Sequence, residues 1–305
     1  MLVRLLLILG SLMSLAVAPA WAQNGHTPLL NAEAVLLIDP DGKVLFSKNA
    51  AEDHAPASLV KLMTIYLAYE DLESGIVQWA EPVTISAQVA QTPRYRMGLR
   101  AGEVVALGTL LEGVAIASAN DAAAAVAEHL GGTEEHFVTR MNAKAQTLGL
   151  GATRFANPHG LPHPQQRTTA QDMARLTGHL VEDFPSSRVI LGGKNFIYRG
   201  RVYSRRIPLF EDPGGVQALK TGFTNEAGYN LAIAAWRAGQ RYLLIVLGAQ
   251  TRSLSFRDAR KLLRYGFNEA ALDAPDEPLR RPTPVRRPPP KAKGSRTTSL
   301  PSPRT

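Results

Sequence analysis

The sequence predicts an α/β domain in which one antiparallel sheet, assembled from both ends of the chain, is covered by helices and carries an inserted helical subdomain. Three observations lead there. Short β-prone runs come first, helical patterns fill the middle from about residue 58 to 180, and a second pair of β-prone runs is followed by a closing helix. The 305 residues are 45% hydrophobic, enough for a substantial core. A cleft between such a sheet and its helices is the expected place for a site.

Residues 1–22 give a basic start at Arg4, an apolar run, Pro19 and the small-x-small site Ala20-Trp21-Ala22. This reads as a cleaved secretory signal, with the mature chain beginning near Gln23. An uncleaved membrane anchor is the competing reading, and Pro19 with the Ala-x-Ala site favours cleavage. Runs 34–38 and 44–47 flank Asp39-Pro40-Asp41-Gly42, a turn sequence, and predict a hairpin. Segment 58–73 is apolar almost all round, which predicts a buried helix, with Pro56 just before its start. Further helical patterns cover 107–130 and 134–148, the second stopped by Gly149 and Gly151. Runs 229–236 and 242–247, separated by Arg237-Ala238-Gly239-Gln240, predict a second hairpin, and 253–268 a last helix.

One folded domain is therefore expected over 23–270, and an extended, disordered Pro/Arg tail over 271–305. The tail holds eight Lys and Arg (Arg280, Arg281, Arg286, Arg287, Lys291, Lys293, Arg296, Arg304) against Asp273, Asp276 and Glu277, so most of the net charge of +8 sits there. That distribution points away from a nucleic-acid partner. The tail reads as a solvated linker, or as a weak electrostatic contact with anionic envelope polymers or lipids. The absence of cysteine excludes disulfides, a thiolate nucleophile, a Cys-containing zinc site and a lipid-modified N-terminal cysteine.

Chemistry is carried by three short elements. Ser58-Leu59-Val60-Lys61 sets a hydroxyl and an amine one turn apart at a helix start. A serine needs an adjacent base, and a lysine desolvated among apolar neighbours offers a neutral amine. Alone, Ser-x-x-Lys is weak, since about one is expected by composition in a chain of this length, and a capping serine with a surface lysine would explain it. Ser118-Ala119-Asn120 between helical patterns and Lys220-Thr221-Gly222 leading into the strands change that weighing. Other constellations fare worse. His159 and His163 stand at i, i+4, but Gly160 and Pro162 between them oppose the helix of a zinc-protease motif. No Gly-x-Ser-x-Gly marks a nucleophile elbow, and Asp172 reads as a helix-start residue.

The order of the three elements is that of penicillin-binding proteins and class A β-lactamases. Together with Phe155-Ala156-Asn157-Pro158-His159-Gly160-Leu161 and Thr169-Ala170-Gln171-Asp172, the stretches around them resemble the low-molecular-mass, serine-type DD-carboxypeptidase family, peptidase S11-like. The resemblance covers roughly 30–268. It implies the DD-peptidase/β-lactamase-like fold and no metal or cofactor. It also implies a periplasmic, penicillin-sensitive enzyme, secreted across the inner membrane, that removes the terminal D-alanine from peptidoglycan stem peptides, with β-lactams as covalent inhibitors. Family members continue into a small β-rich domain and an amphipathic anchor where this chain runs into its Pro/Arg tail.

The roles implied are Ser58 as nucleophile, Lys61 as its base, and Ser118, networked with Lys220, as proton relay to the leaving amine. Asn120 is expected to hold the substrate amide, Lys220 and Thr221 the terminal carboxylate. Gly222 is expected to leave room for substrate backbone, and the Ser58 and Phe223 backbone N–H groups to form the oxyanion hole. Many relatives carry histidine where Phe223 stands. A DD-endopeptidase of the same family and a catalytically silent peptidoglycan-binding protein remain as alternatives. A β-lactamase fits less well because no Glu-x-x-Leu-Asn segment supplies a deacylating base.

Overall fold

Two hairpins from opposite ends of the sequence meet edge to edge. The computed structural model describes residues 29–93, 95–211 and 215–268. The expected secretory leader and Pro/Arg tail lie outside the described residues. Strands β1 (Ala34–Ile38) and β2 (Val44–Lys48) form the first hairpin, closed through Gly42 at φ +81°. Strands β8 (Gly228–Arg237) and β9 (Gln240–Ala249) form the second. β9 pairs antiparallel with β1, and β7 (Val216–Thr224) pairs with β8, which gives one antiparallel sheet in the order β2-β1-β9-β8-β7. Strand β7, carrying Lys220-Thr221-Gly222, is thus an edge.

Alternation along the strands divides the core in two, because successive side chains point to opposite faces. Val35, Leu37, Ile233, Leu244 and Val246 face α8 (Arg252–Asn268) and its Phe256, Ala259 and Leu262. Ala34, Leu36, Ala232, Ala234, Ile245 and Leu247 face the helical side. There α1 (Lys61–Glu73) is buried almost all round, as the pattern predicts, and α6 (Ala170–Asp183) packs on the sheet beside it. Between them in sequence lie α2 (Ala87–Ala90), α3 (Leu107–Glu112), α4 (Asn120–Gly131) and α5 (Glu134–Thr147), with the short pair β3 (Pro82–Thr84) and β4 (Val104–Ala106). After α6 come α7 (Ser187–Gly192) and the hairpin β5 (Asn195–Tyr198) with β6 (Arg201–Ser204).

Two expected helices differ in detail. The segment from Ser58 opens with a turn of 3-10 helix, Ala57–Val60, before α1 begins at Lys61. The 107–130 pattern is broken: α3 runs into a π-turn, Gly113–Ala117, and Ser118 adopts a left-handed conformation (φ 54°) before α4 starts. Asp121 explains part of the break. Its buried carboxylate accepts the backbone N–H groups of Met97, Gly98 and Leu99 at 2.9–3.1 Å, tying the start of α4 to the loop ahead of it. Among the described residues no helix is long and apolar enough to cross a membrane.

Candidate active site

The chain reaches the site through residues pinned on both sides. His54 and Thr168 exchange backbone hydrogen bonds of 2.7 and 2.9 Å. From the sheet, the Asn230 amide on β8 donates to the carbonyls of Ala55 (3.0 Å) and Pro56 (3.2 Å) and accepts from Gly248 N–H at 2.9 Å. Held this way, Ala57 takes φ +48°, uncommon for a residue with a Cβ. The 3-10 turn follows. In such a turn i and i+3 side chains eclipse, and Lys61 Nζ lies 3.2 Å from Ser58 Oγ.

Lys61 is fully buried, and its three ammonium protons have three neutral acceptors: Ser58 Oγ, Asn120 Oδ1 at 2.8 Å and the His159 carbonyl. Burial lowers its pKa to about 7, against a raising influence from Asp121. The His159 carbonyl is presented by a loop locked to itself and to α1. Asn157 accepts from Gly160 N–H at 2.7 Å and donates to the Leu161 carbonyl at 3.0 Å, while the Thr64 hydroxyl donates to the Pro158 carbonyl at 2.6 Å. Gly160 is required there, because at φ +85° it lies directly under Ala57 and a Cβ would collide with that residue's carbonyl.

On the other side of the nucleophile turn, Lys220 of β7 is also fully buried. It donates to Ser118 Oγ at 2.8 Å and to the Thr221 carbonyl at 2.9 Å. Burial, then Lys61 and Arg205, hold its pKa well below the usual lysine value. Arg205 donates to the carbonyls of Ala115, Leu191, Gly193 and Leu219, so one guanidinium ties the π-turn before Ser118 to the strand before Lys220. Burial lowers its pKa to about 10.

The structure thus gathers Ser58, Lys61, Asn120, Ser118 and Lys220 at one place, with Thr221 half-buried beside them. It also adds a structural contact to two of the expected residues. The space beside Gly222 is taken by the nucleophile turn, since a Cβ would meet Ser58 N at 3.0 Å and the Pro56 carbonyl at 3.1 Å. Asn120 spends its carbonyl oxygen on Lys61, and its amide donates to the Pro93 carbonyl at 3.4 Å. The Phe223 side chain is partly exposed and tilts against the Tyr229 ring, centroids 4.3 Å apart. Sequence reasoning missed Arg205, Asn230 and the His159 carbonyl. The last is a backbone group, and only the Phe155-to-Leu161 stretch as a whole signalled it. Asp172 is a helix-start residue: its N–H donates to the Thr169 hydroxyl, and its carboxylate receives Ala152 N–H and the Thr153 hydroxyl.

Such an arrangement can take a proton from the Ser58 hydroxyl and links the Ser118 hydroxyl to a second buried amine, Lys220. A family model described as D-alanyl-D-alanine carboxypeptidase matches residues 22–251. The chain belongs to that family. D-alanyl-D-alanine carboxypeptidase DacC of Escherichia coli (strain K12) is 37% identical over 264 residues, covering 84% of this chain and 66% of its own length. DacF of Bacillus subtilis (strain 168) is 35% identical over 245 residues, 78% of this chain and 62% of its own. The chain therefore spans slightly less than two thirds of the length of these relatives. Among solved structures, penicillin binding protein 5 from Haemophilus influenzae superposes with a TM-score of 0.77 at 33% identity, covering 79% of this chain and 72% of that one. Penicillin-Binding Protein D2 from Listeria monocytogenes in the ampicillin bound form gives 0.69 at 28% identity, covering 79% of this chain and 99% of that one. The fold of this family member is that of the penicillin-binding DD-peptidases.

Proposed function

We propose that this chain is a serine-type D-Ala-D-Ala carboxypeptidase that removes the terminal D-alanine of peptidoglycan stem peptides through an acyl-enzyme on Ser58. The observation that carries the reading is the Ser58 hydroxyl 3.2 Å from a buried Lys61 amine whose pKa is lowered to about 7, so that a neutral base is available near neutral pH. Ser58 Oγ attacks the carbonyl carbon of the penultimate D-alanine while its proton passes to Lys61. The oxyanion rests on the Ser58 and Phe223 backbone N–H groups. As the C–N bond breaks, a proton reaches the leaving amine through Ser118, which is bonded to Lys220. Water then hydrolyses the ester and Ser58 recovers its proton. Lys220 and Thr221 receive the free carboxylate of the substrate.

The same reading makes β-lactams acylating inhibitors, as the ampicillin-bound relative supports. It places residues 1–22 as the leader for secretion into the periplasm, 23–270 as the catalytic domain and 271–305 as a basic tail. Purified protein is tested with a fluorescent penicillin and with D-alanine release from a peptide ending in D-Ala-D-Ala. Wild type is expected to do both, and Ser58→Ala neither, at an unchanged melting temperature. Labelling of Ser58→Ala at wild-type level removes the assignment.

A further inference from the structure

The β8–β9 ladder is interrupted behind the nucleophile turn. Tyr229 pairs with Ala249 and Leu231 with Val246, so Leu247 and Gly248 together face Asn230, a β-bulge. Bulges of this kind re-aim a side chain. Along its other edge Asn230 pairs with Gly222 of β7, the glycine that lies against Ser58 N. Directly paired residues share a face of the sheet, so the Asn230 side chain emerges beside the space that Gly222 leaves open. Gly248, at φ +71°, gives its N–H to Asn230 Oδ1 at 2.9 Å. That contact fixes which end of the amide is which, because an N–H requires the oxygen. The amide nitrogen is thereby directed at the Ala55 and Pro56 carbonyls, 3.0 and 3.2 Å away. Asn230 is 1% exposed, so bulk water does not compete for these bonds.

The clamp holds a backbone that would otherwise relax. Ala57, directly after the two held carbonyls, sits at φ +48°. Residues with a Cβ keep such a conformation where their surroundings over-determine it. The next peptide carries the Ser58 N–H proposed for the oxyanion hole, and two glycines confine it. A Cβ on Gly222 would stand 3.0 Å from Ser58 N, and one on Gly160 2.9 Å. Those contacts bound where the peptide can lie, while the Asn230 amide sets the twist of the chain that enters it. We propose that Asn230 is a positioning residue for acylation: by holding the Ala55 and Pro56 carbonyls it keeps Ala57 at positive φ and so aims the Ser58 backbone N–H at the developing oxyanion. Misplacing such a donor by about an ångström costs on the order of 10²-fold in rate. The inference rests on the proposed carboxypeptidase reading and adds to it a residue that acts through the backbone of the nucleophile turn.

Transition-state and ground-state binding separate this role from a merely structural one. Acylation by fluorescent penicillin at saturation is measured for wild type, Asn230→Ala, Ala57→Gly and the double variant. The same proteins are inhibited with a peptide ending in the boronic acid analogue of D-alanine, whose boron bonds to Ser58 Oγ as the serine proton leaves, giving a tetrahedral adduct that uses the oxyanion hole. Ground-state affinity for a peptide ending in D-Ala-D-Ala is read by calorimetry in Ser58→Ala with and without Asn230→Ala. Asn230→Ala is expected to slow acylation about 30- to 100-fold and to weaken the boronic acid by a similar factor, while peptide affinity changes less than about threefold. Ala57→Gly should recover about threefold or more in the double variant, because glycine takes positive φ without steric cost. Acylation of Asn230→Ala within about threefold of wild type overturns the role, as does a peptide affinity that falls as far as that of the boronic acid. A double variant no faster than Asn230→Ala overturns it as well. Asn230→Ser, which keeps an acceptor for Gly248, replaces Asn230→Ala should the latter not fold, and insolubility of both would assign Asn230 to the fold and overturn the role. Wild type that is not acylated overturns the carboxypeptidase reading and the role with it, whereas the other outcomes touch the role alone.

Discussion

A Cβ on Gly222 would stand 3.0 Å from the backbone nitrogen of Ser58. The strand that carries Lys220 and the turn that carries the nucleophile therefore touch backbone to backbone, and this contact fixes the spacing of the two N–H groups proposed for the oxyanion hole. A methyl there would meet backbone atoms, which yield less readily than a flexible side chain. Gly222→Ala is expected to displace the turn by a few tenths of an ångström and to slow penicillin acylation roughly 10- to 100-fold, because oxyanion donors act only at the right distance. Stopped-flow acylation with a chromogenic cephalosporin reads this directly. An unchanged rate would show that the contact does not set the geometry.

The buried Lys61 predicts a pH profile with a defined direction. Its amine is neutral above about 7 and protonated below, so the acylation rate should rise with pH through that region and then level off. Asp121 opposes the shift by favouring the ammonium. Asp121→Asn is therefore expected to move the ascending limb to lower pH. The same substitution should destabilise the fold by about 2–4 kcal/mol, because three backbone N–H groups lose a charged acceptor. Acylation measured from pH 5 to 9 in both proteins checks the pair of effects. A limb that stays in place would assign it to another group.

Arg205 gives a third prediction. Its guanidinium satisfies four main-chain carbonyls from three segments, and methionine would fill much of its volume while leaving them without a donor. Arg205→Met should lower stability by about 2–4 kcal/mol. It should also loosen Ser118 against Lys220, reducing deacylation as well as acylation. Thermal unfolding together with single-turnover kinetics separates the two, and a stability loss with untouched kinetics would confine Arg205 to the fold.

How much of this the sequence disclosed depended on how local the cause was. Both sheet hairpins were legible because β-prone apolar runs and the turn sequences Asp39-Pro40-Asp41-Gly42 and Arg237-Ala238-Gly239-Gln240 act within a few residues, and β1, β2, β8 and β9 fall close to the expected bounds. Ser58, Lys61, Ser118 and Lys220 were legible as short motifs whose residue types already imply the chemistry. Arg205 was not, since nothing in Tyr203-Ser204-Arg205-Arg206 says that four carbonyls converge on it from elsewhere. The left-handed Ser118 and the π-turn before it were hidden because Val114, Ala115 and Ile116 read as ordinary helix. Strands β3 and β4, three residues each, are too short for periodicity to register. The role of His159 was hidden in another way: the motif draws attention to an imidazole, while the carbonyl of the same residue holds Lys61.

Replacing Lys220 is expected to distinguish carboxypeptidase from endopeptidase action. A substrate with a free C-terminus brings a carboxylate to the Lys220 and Thr221 end of the site, whereas the same peptide with an amidated terminus brings none. A charge-assisted contact of this kind contributes about 1.5–3 kcal/mol, so Lys220→Ala should cost roughly 10- to 150-fold in kcat/KM on the free acid. The amidated peptide should lose less. Some loss on it is expected as well, because Lys220 donates to Ser118 at 2.8 Å, the residue proposed to pass the proton to the leaving amine. The ratio of the two losses is therefore the quantity to read, and a ratio well above one assigns Lys220 to the carboxylate. Before any mutation, wild-type enzyme should already prefer the free acid. Equal cleavage of both peptides by wild type, with faster opening of cross-linked dimers, would replace the carboxypeptidase assignment with an endopeptidase one, and in that case Lys220→Ala should slow both peptides alike.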